Sequence, residues 1–262
     1  MSAILLNGAI VHYEALGRGR PIVFLHGWVG SWRYWIAAMQ AASTGFRAYA
    51  LDLFGFGDTA HQAAHYSLDQ QALLLDKFLG EMGIGKIALV GHGLGALVGF
   101  EFIKMFPGSV DRIMAVNCPL TYDAVNIRMR TAPMSDLTSW LSNRSPEINV
   151  ALAEASKADP LAVAASMASL QADNMFTHMG ALSIPCLFVY GQNDPAISQP
   201  APEAAAAFPL MMHHMVLEDI GHFPMIEDPI RFNRLMTDFM ALEPGLSPRD
   251  LQLKEEWRRR VR

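Results

Sequence analysis

Four short stretches of the chain bring together residue types capable of acid–base and anion-stabilising chemistry. Gly221-His222-Phe223-Pro224 offers an imidazole, the side chain that exchanges a proton near neutral pH. Gly191-Gln192-Asn193-Asp194 offers a carboxylate that can hold such an imidazole in one tautomer. His26-Gly27-Trp28 and Gly91-His92-Gly93-Leu94-Gly95 are glycine-bearing loops, and the backbone N–H groups of Trp28 and Leu94 can together receive a developing oxyanion. A nucleophile presented on a tight turn would stand at position 93, with glycines at its flanks because bulk there would clash. That position is Gly93, which has no side chain, so no acyl- or alkyl-enzyme can form on it. No nearby residue replaces it convincingly. Cys118 reads as a small buried cysteine, His92 as a residue packed beneath the turn, and Ser31 as the cap of a following helix.

These residues need a frame that delivers each to one edge. Short β-like runs alternate with longer helix-like runs, which predicts a largely parallel sheet covered by helices. Strands are expected over 9–15, 21–25, 46–51, 86–90, 112–116, 185–190 and 211–217, and helices over 67–82, 94–106 and 229–240. Ser67 is the expected N-cap of the first of these helices, with Gln70 completing a capping box. Gly17-Arg18-Gly19 reads as a hairpin turn. Each chemical stretch then follows the end of its own strand.

The alternation fails between 121 and 184, an Ala-rich, helix-like stretch containing Met129, Met134, Met167, Met175 and Met179. An insertion after a sheet strand must sit at the carboxyl edge, where open α/β sheets bind ligands, so it is expected to be a helical cap. Its methionines either line an adaptable apolar pocket or pack the cap's own core. The division is a core over 1–120 and 185–244, a cap over 121–184 and a helical tail over 245–262. In the tail, Leu253, Trp257 and Val261 form one apolar stripe, which docks on its own domain or makes a subunit contact in a homodimer.

Of the 262 residues, 52% are hydrophobic and 17% charged, so the chain can bury a large core and is not disordered. A net charge of −5 argues against a nucleic-acid partner. The longest uncharged apolar stretch, 87–100, carries four glycines and is too short to span a bilayer, and the N-terminus lacks a basic leader region. Two cysteines, Cys118 and Cys186, are too few for a disulfide scaffold and lack metal-ligand spacing. The expectation is a cytoplasmic globular protein with no metal and no cofactor, acting on a small molecule and not on membranes.

The order of turn, Asp194 and His222, each at the end of a separate strand, together with His26-Gly27-Trp28 and Asp52-Leu53-Phe54-Gly55-Phe56-Gly57, resembles the α/β-hydrolase superfamily over nearly the whole chain. It is most similar to the small capped esterase, haloalkane dehalogenase and epoxide hydrolase branch. The resemblance implies a mostly parallel eight-stranded sheet with an antiparallel second strand. It implies His222 as general base, Asp194 as its orienting acid, Trp28 and Leu94 as oxyanion donors, and a substrate pocket near His26, Gly27, Phe54 and Phe223, with Trp32 and Trp35 close by. Asn117 stands where some relatives carry an alternative acid. The departure is Gly93, where the family carries Ser, Asp or Cys. The leading expectation is therefore direct attack by water, activated by His222–Asp194, on a small, largely apolar ester, lactone or thioester. The alternatives are proton-transfer chemistry (lyase, isomerase or cofactor-free oxygenase), a ligand-binding protein without turnover, and a serine esterase whose nucleophile was substituted in the laboratory.

Overall fold

The runs Ile22-Val23-Phe24-Leu25 and Ile87-Ala88-Leu89-Val90 are apolar on both faces, as central strands of a helix-covered parallel sheet must be. The computed structural model describes residues 2–6, 8–141, 148–172 and 182–251. Its strands are β1 (Ser2–Leu6), β2 (Ala9–Gly17), β3 (Arg20–Leu25), β4 (Phe46–Leu51), β5 (Ile87–His92), β6 (Val110–Val116), β7 (Cys186–Gly191) and β8 (Met212–Leu217). They form one eight-stranded sheet in the order β1-β2-β4-β3-β5-β6-β7-β8. β2 is antiparallel to both β1 and β4, and every other pairing is parallel. Helices α1 (Ile36–Ala42), α2 (Leu68–Glu81) and α3 (Leu94–Met105) follow in the first half of the chain. α1 packs on the late helix Pro229–Met240, and α2 packs on α3.

Three local expectations change. Ser2–Leu6 is an edge strand that the sequence reading does not assign, because a half-exposed five-residue strand carries little periodic signal. The sequence pair Asn7-Gly8, a strong hairpin signal, could have located it. Gly17-Arg18-Gly19 is not a hairpin, since β4 lies between β2 and β3. A Cβ on Gly17 would strike the Phe46 carbonyl oxygen and one on Gly19 that of Gly45, so the glycines let the connection pass close to the start of β4. Ser67 takes an extended N-cap conformation, but its side chain makes no cap hydrogen bond. The Leu68 N–H points instead at Ser169 Oγ, 3.4 Å away, and Gln70 reaches His65 and Asp69.

Between β6 and β7 the described chain forms α4 (Ile127–Thr131), α5 (Met134–Leu141), α6 (Ile148–Ala155) and α7 (Pro160–Ala172). α7 packs on α2 and α4, and α6 reaches the turn at 32–35. Met129 and Met167 are buried and Met134 is half-buried. Met175 and Met179 lie outside the described residues. α8 (Pro202–Ala206) lies between β7 and β8, and α9 (Pro224–Glu227) and α10 (Pro229–Met240) follow β8. A final 3₁₀ turn, Pro248–Asp250, is held by a capping box between Ser247 and Asp250 and by Arg249, whose guanidinium donates to the carbonyls of Phe208, Pro209 and Met212. The stripe of Leu253, Trp257 and Val261 falls outside the described residues. Among the described residues no helix is long and apolar enough to cross a membrane.

Candidate functional site

The turn after β5 is built from glycines for stated steric reasons. Gly93 sits at φ +48° and ψ −108°, a left-handed conformation that costs an L side chain about 1–2 kcal/mol. A Cβ on Gly91 would lie 2.5 Å from the Ala96 nitrogen, and one on Gly95 would strike the Leu25 carbonyl. Leu94 opens α3, so its N–H is among the helix's unpaired first-turn donors. Leu25 of β3 pairs with Gly91 of β5, which puts the Trp28 loop beside this turn.

His222 follows β8 and Asp194 follows β7, at the same sheet edge. His222 Nδ1 lies 2.9 Å from Asp194 Oδ2 and 3.0 Å from Oδ1, with both side chains buried. A carboxylate accepts, so Nδ1 carries a proton, and in the neutral ring the lone pair is on Nε2. The Ala196 N–H, 2.7 Å away, secures Asp194 Oδ1. Three groups outside the sequence-derived list hold the His222 peptide. Glu227 accepts from the N–H groups of Gly221 and Phe223 at 2.7 and 2.8 Å. Asn117, at φ +42°, donates through Nδ2 to the His222 carbonyl at 2.9 Å and accepts the Gly191 N–H, so it braces this loop and serves no role as an acid. His92 donates to the same carbonyl at 2.9 Å. Glu227 and Asn117 sit five residues past and far upstream of His222, and a left-handed Asn at a strand end was the one available signal.

The Trp28 indole decides what lies over Gly93. A Cβ at Gly93 would sit 3.3 Å from Trp28 Cε3 and Cζ3, so the ring takes the space beside any side chain at that position. Its Nε1–H donates at 2.9 Å to Ser166 Oγ of α7, and both residues are buried. The same insertion is fastened by Tyr66 to Asp159 at 2.7 Å, Lys157 to Asp58 at 2.8 Å and Arg33 to Glu154 at 3.4 Å.

Three of the four pocket residues expected from the sequence, His26, Gly27 and Phe223, are framework. His26 is fully buried: its Nε2 accepts the Leu53 N–H and its Nδ1 donates to the Gly27 carbonyl, so neither nitrogen is open to a ligand. Burial, the larger effect, lowers its pKa against the nearby Asp52 charge. By holding the Gly27 carbonyl, His26 orients the peptide plane that ends in the Trp28 N–H. Gly27 packs on His92, whose Nδ1 a Cβ would approach to 2.7 Å. Phe54 faces His65 and lines a crevice with Leu6 and Leu74. Phe223 is fully buried beneath His222, with ring centroids 4.9 Å apart. Trp35 is likewise a core residue, between Phe24 and Phe232, and Trp32 faces His12. Cys118 is buried, and burial raises its thiol pKa. Ser31 caps the turn at 32–35 by accepting the Arg33 N–H.

His12, Asp52 and Asp58 offer metal-type donor atoms within 4.8 Å of one another. Those donors already serve the fold. Asp52 accepts from the N–H groups of Trp32 and Asp58 and pairs with His12 Nδ1 at 2.9 Å, and Asp58 pairs with Lys157.

A sheet of this order, with an imidazole and a carboxylate at the ends of its last two strands, defines the α/β-hydrolase architecture. Residues 22–235 match the model of the alpha/beta hydrolase family, and the chain belongs to that family. It is similar to the soluble epoxide hydrolase of Corynebacterium sp. (strain C12), 33% identical over 113 residues, which cover 43% of this chain and 40% of that protein. The aligned stretch thus spans about two fifths of that relative. An uncharacterized protein of Mycobacterium tuberculosis is 27% identical over 270 residues, 89% of this chain and 79% of its own length. Among solved structures, a serine-to-glycine mutant of the N-acyl homoserine lactonase AidH, complexed with N-hexanoyl homoserine lactone, superposes with a TM-score of 0.80 at 18% identity, covering 91% of this chain and 96% of that one.

Proposed function

We propose that this protein hydrolyses small, largely apolar carbonyl compounds (esters, lactones or thioesters) without a covalent intermediate. The observation that carries the reading is the His222–Asp194 pair, bonded at 2.9 and 3.0 Å, which fixes a proton on Nδ1 and so makes Nε2 the basic nitrogen of the neutral ring. Water gives a proton to Nε2 as its oxygen bonds to the carbonyl carbon. The oxyanion is received by the Trp28 and Leu94 N–H groups. On collapse the carbon–oxygen or carbon–sulfur bond to the leaving group breaks, and the imidazolium returns its proton to that group. Gly93 stands where the family places its nucleophile, so the reaction has no acyl-enzyme stage. Residues 121–184 act as a cap on the core of 1–120 and 185–244. The similarity to a lactonase and an epoxide hydrolase supports a small uncharged substrate. The two buried, unpaired cysteines support a cytoplasmic setting.

The packing of Trp28 beside Gly93 favours a second reading, in which the site moves a proton on a bound ligand or only binds it. Turnover of a panel of p-nitrophenyl esters and lactones separates them. Water attack expects slow hydrolysis that falls by about 10²–10⁴-fold in His222→Ala. Hydrolysis unaffected by His222→Ala, or none at all in the unaltered protein, sinks the hydrolytic reading. Ligand-induced thermal shifts without turnover would then favour the second.

A further inference from the structure

Beneath the turn at Gly93 runs a chain of hydrogen bonds that the proposed reaction leaves without a task. The Gly27 N–H donates to the Tyr34 hydroxyl. Tyr34 Oη lies 3.0 Å from His92 Nδ1, and His92 Nε2 lies 2.9 Å from the His222 carbonyl oxygen. The directions follow from the two ends. A carbonyl oxygen only accepts, so Nε2 carries the His92 proton and Nδ1 keeps the lone pair. Tyr34 therefore donates to Nδ1 and accepts from Gly27. Both side chains are buried, and burial, with His222 as a second influence, holds the His92 imidazole well below its ordinary pKa. Burial likewise raises the Tyr34 hydroxyl. Both stay neutral, as this run of donors requires.

The ends of the chain belong to the two halves of the site. Gly27 precedes Trp28 in the loop after β3, and His222 follows β8. Strands β5, β6 and β7 lie between β3 and β8, a span of about 19 Å at roughly 4.8 Å per strand. The two strands are not neighbours in the sheet, so only side chains bridge these two loops directly. We propose that Tyr34 and His92 are positioning residues, a neutral relay that locks the peptide of the base to the loop of the oxyanion donors. The assignment rests on His222 as base and Trp28 N–H as donor, but the relay can be observed without any substrate. Asn117 and Glu227 hold the His222 loop independently, so cutting the relay leaves that loop folded.

The test is NMR on ¹⁵N-labelled full-length protein, following the His222 Nδ1–H resonance and the Trp28 backbone amide. Tyr34→Phe removes only a hydroxyl, His92→Leu removes both bonds, and the amide of His92→Gln can still accept on one side and donate on the other. Ser247→Ala, which removes a side-chain bond to the Leu210 carbonyl at the opposite end of β8, controls for general destabilisation. Tyr34→Phe and His92→Leu should move both resonances together, although neither residue bonds either group. His92→Gln should return them towards their original positions, and Ser247→Ala should move neither. A folded Tyr34→Phe protein with both resonances unchanged, or with only one end displaced, overturns the relay. Should His92→Leu fail to fold, Tyr34→Phe decides alone. With any substrate that is turned over, Tyr34→Phe should lower kcat on the order of tenfold and leave KM nearly unchanged. If nothing is turned over, the proposed hydrolysis fails while the resonances still settle the relay.

Discussion

Gly93 is defined by what surrounds it as much as by what it lacks. Its φ of +48° already disfavours a side chain, and the Trp28 ring stands 3.3 Å from where a Cβ would be. Gly93→Ala is expected to cost about 1–2 kcal/mol from the backbone, with a further increment from displacing the indole. Urea unfolding would measure the loss. Trp28→Phe should cost less in the Gly93→Ala background than alone, because the smaller ring relieves the contact. Strictly additive losses would mean that the two positions do not meet. The same geometry implies that a serine placed at 93 fits only if the Trp28 ring gives by a few tenths of an ångström. Of the residues expected to line a pocket, His26, Gly27 and Phe223 are inward supports, while Phe54 lines a crevice with Leu6 and Leu74. Residue type told which groups could do chemistry, but side-chain direction is set by packing, to which type is blind.

At the scale of elements, the site is a set of loops at the carboxyl ends of parallel strands, each tied by side chains from elsewhere. The His222 loop, between β8 and α9, is the clearest case. Two backbone N–H groups on either side of His222 end on one carboxylate, Glu227. Glu227→Ala leaves both without acceptors in a partly buried place, for a cost of about 1–3 kcal/mol. The denaturant midpoint should fall with an unchanged m value, and turnover should fall with it. Full stability in Glu227→Ala would show that water takes over both bonds. The strands that carry the site were legible from apolar runs, since a sheet buried on both faces leaves that mark. The β1 edge and the failed hairpin at 17–19 were not, because strand order depends on which neighbours pair, and pairing partners are distant in sequence.

At the scale of the molecule, buried and half-buried histidines give the protein a direction of pH dependence. Burial lowers the pKa of His26, His92, His213 and His214 below the ordinary histidine value of 6.5. As pH falls below 6.5, the unfolded chain binds protons that these folded groups refuse, so stability falls with acidification. His12 runs the other way. Its hydrogen bond to Asp52 raises its pKa, so its contribution is complete below 6.5 and is lost as pH rises through the folded value. Four groups against one predict a melting temperature several degrees lower at pH 5 than at pH 7. Differential scanning calorimetry in His92→Gln should show a shallower fall, and an unchanged or steeper one would contradict the assignment.

Local pattern by itself determined the class of this protein. Apolar runs, punctuating glycines and the order of turn, carboxylate and imidazole depend only on near neighbours along the chain, and each maps directly onto a strand, a turn or a strand end. The tertiary structure decided what that pattern could not. It placed Trp28 against Gly93 through a serine 138 residues away, and tied the His222 carbonyl to His92 and Asn117 across more than a hundred residues. It also made His26, Gly27 and Phe223 supports. Such contacts join positions remote in sequence, and only close packing in three dimensions selects which of them meet.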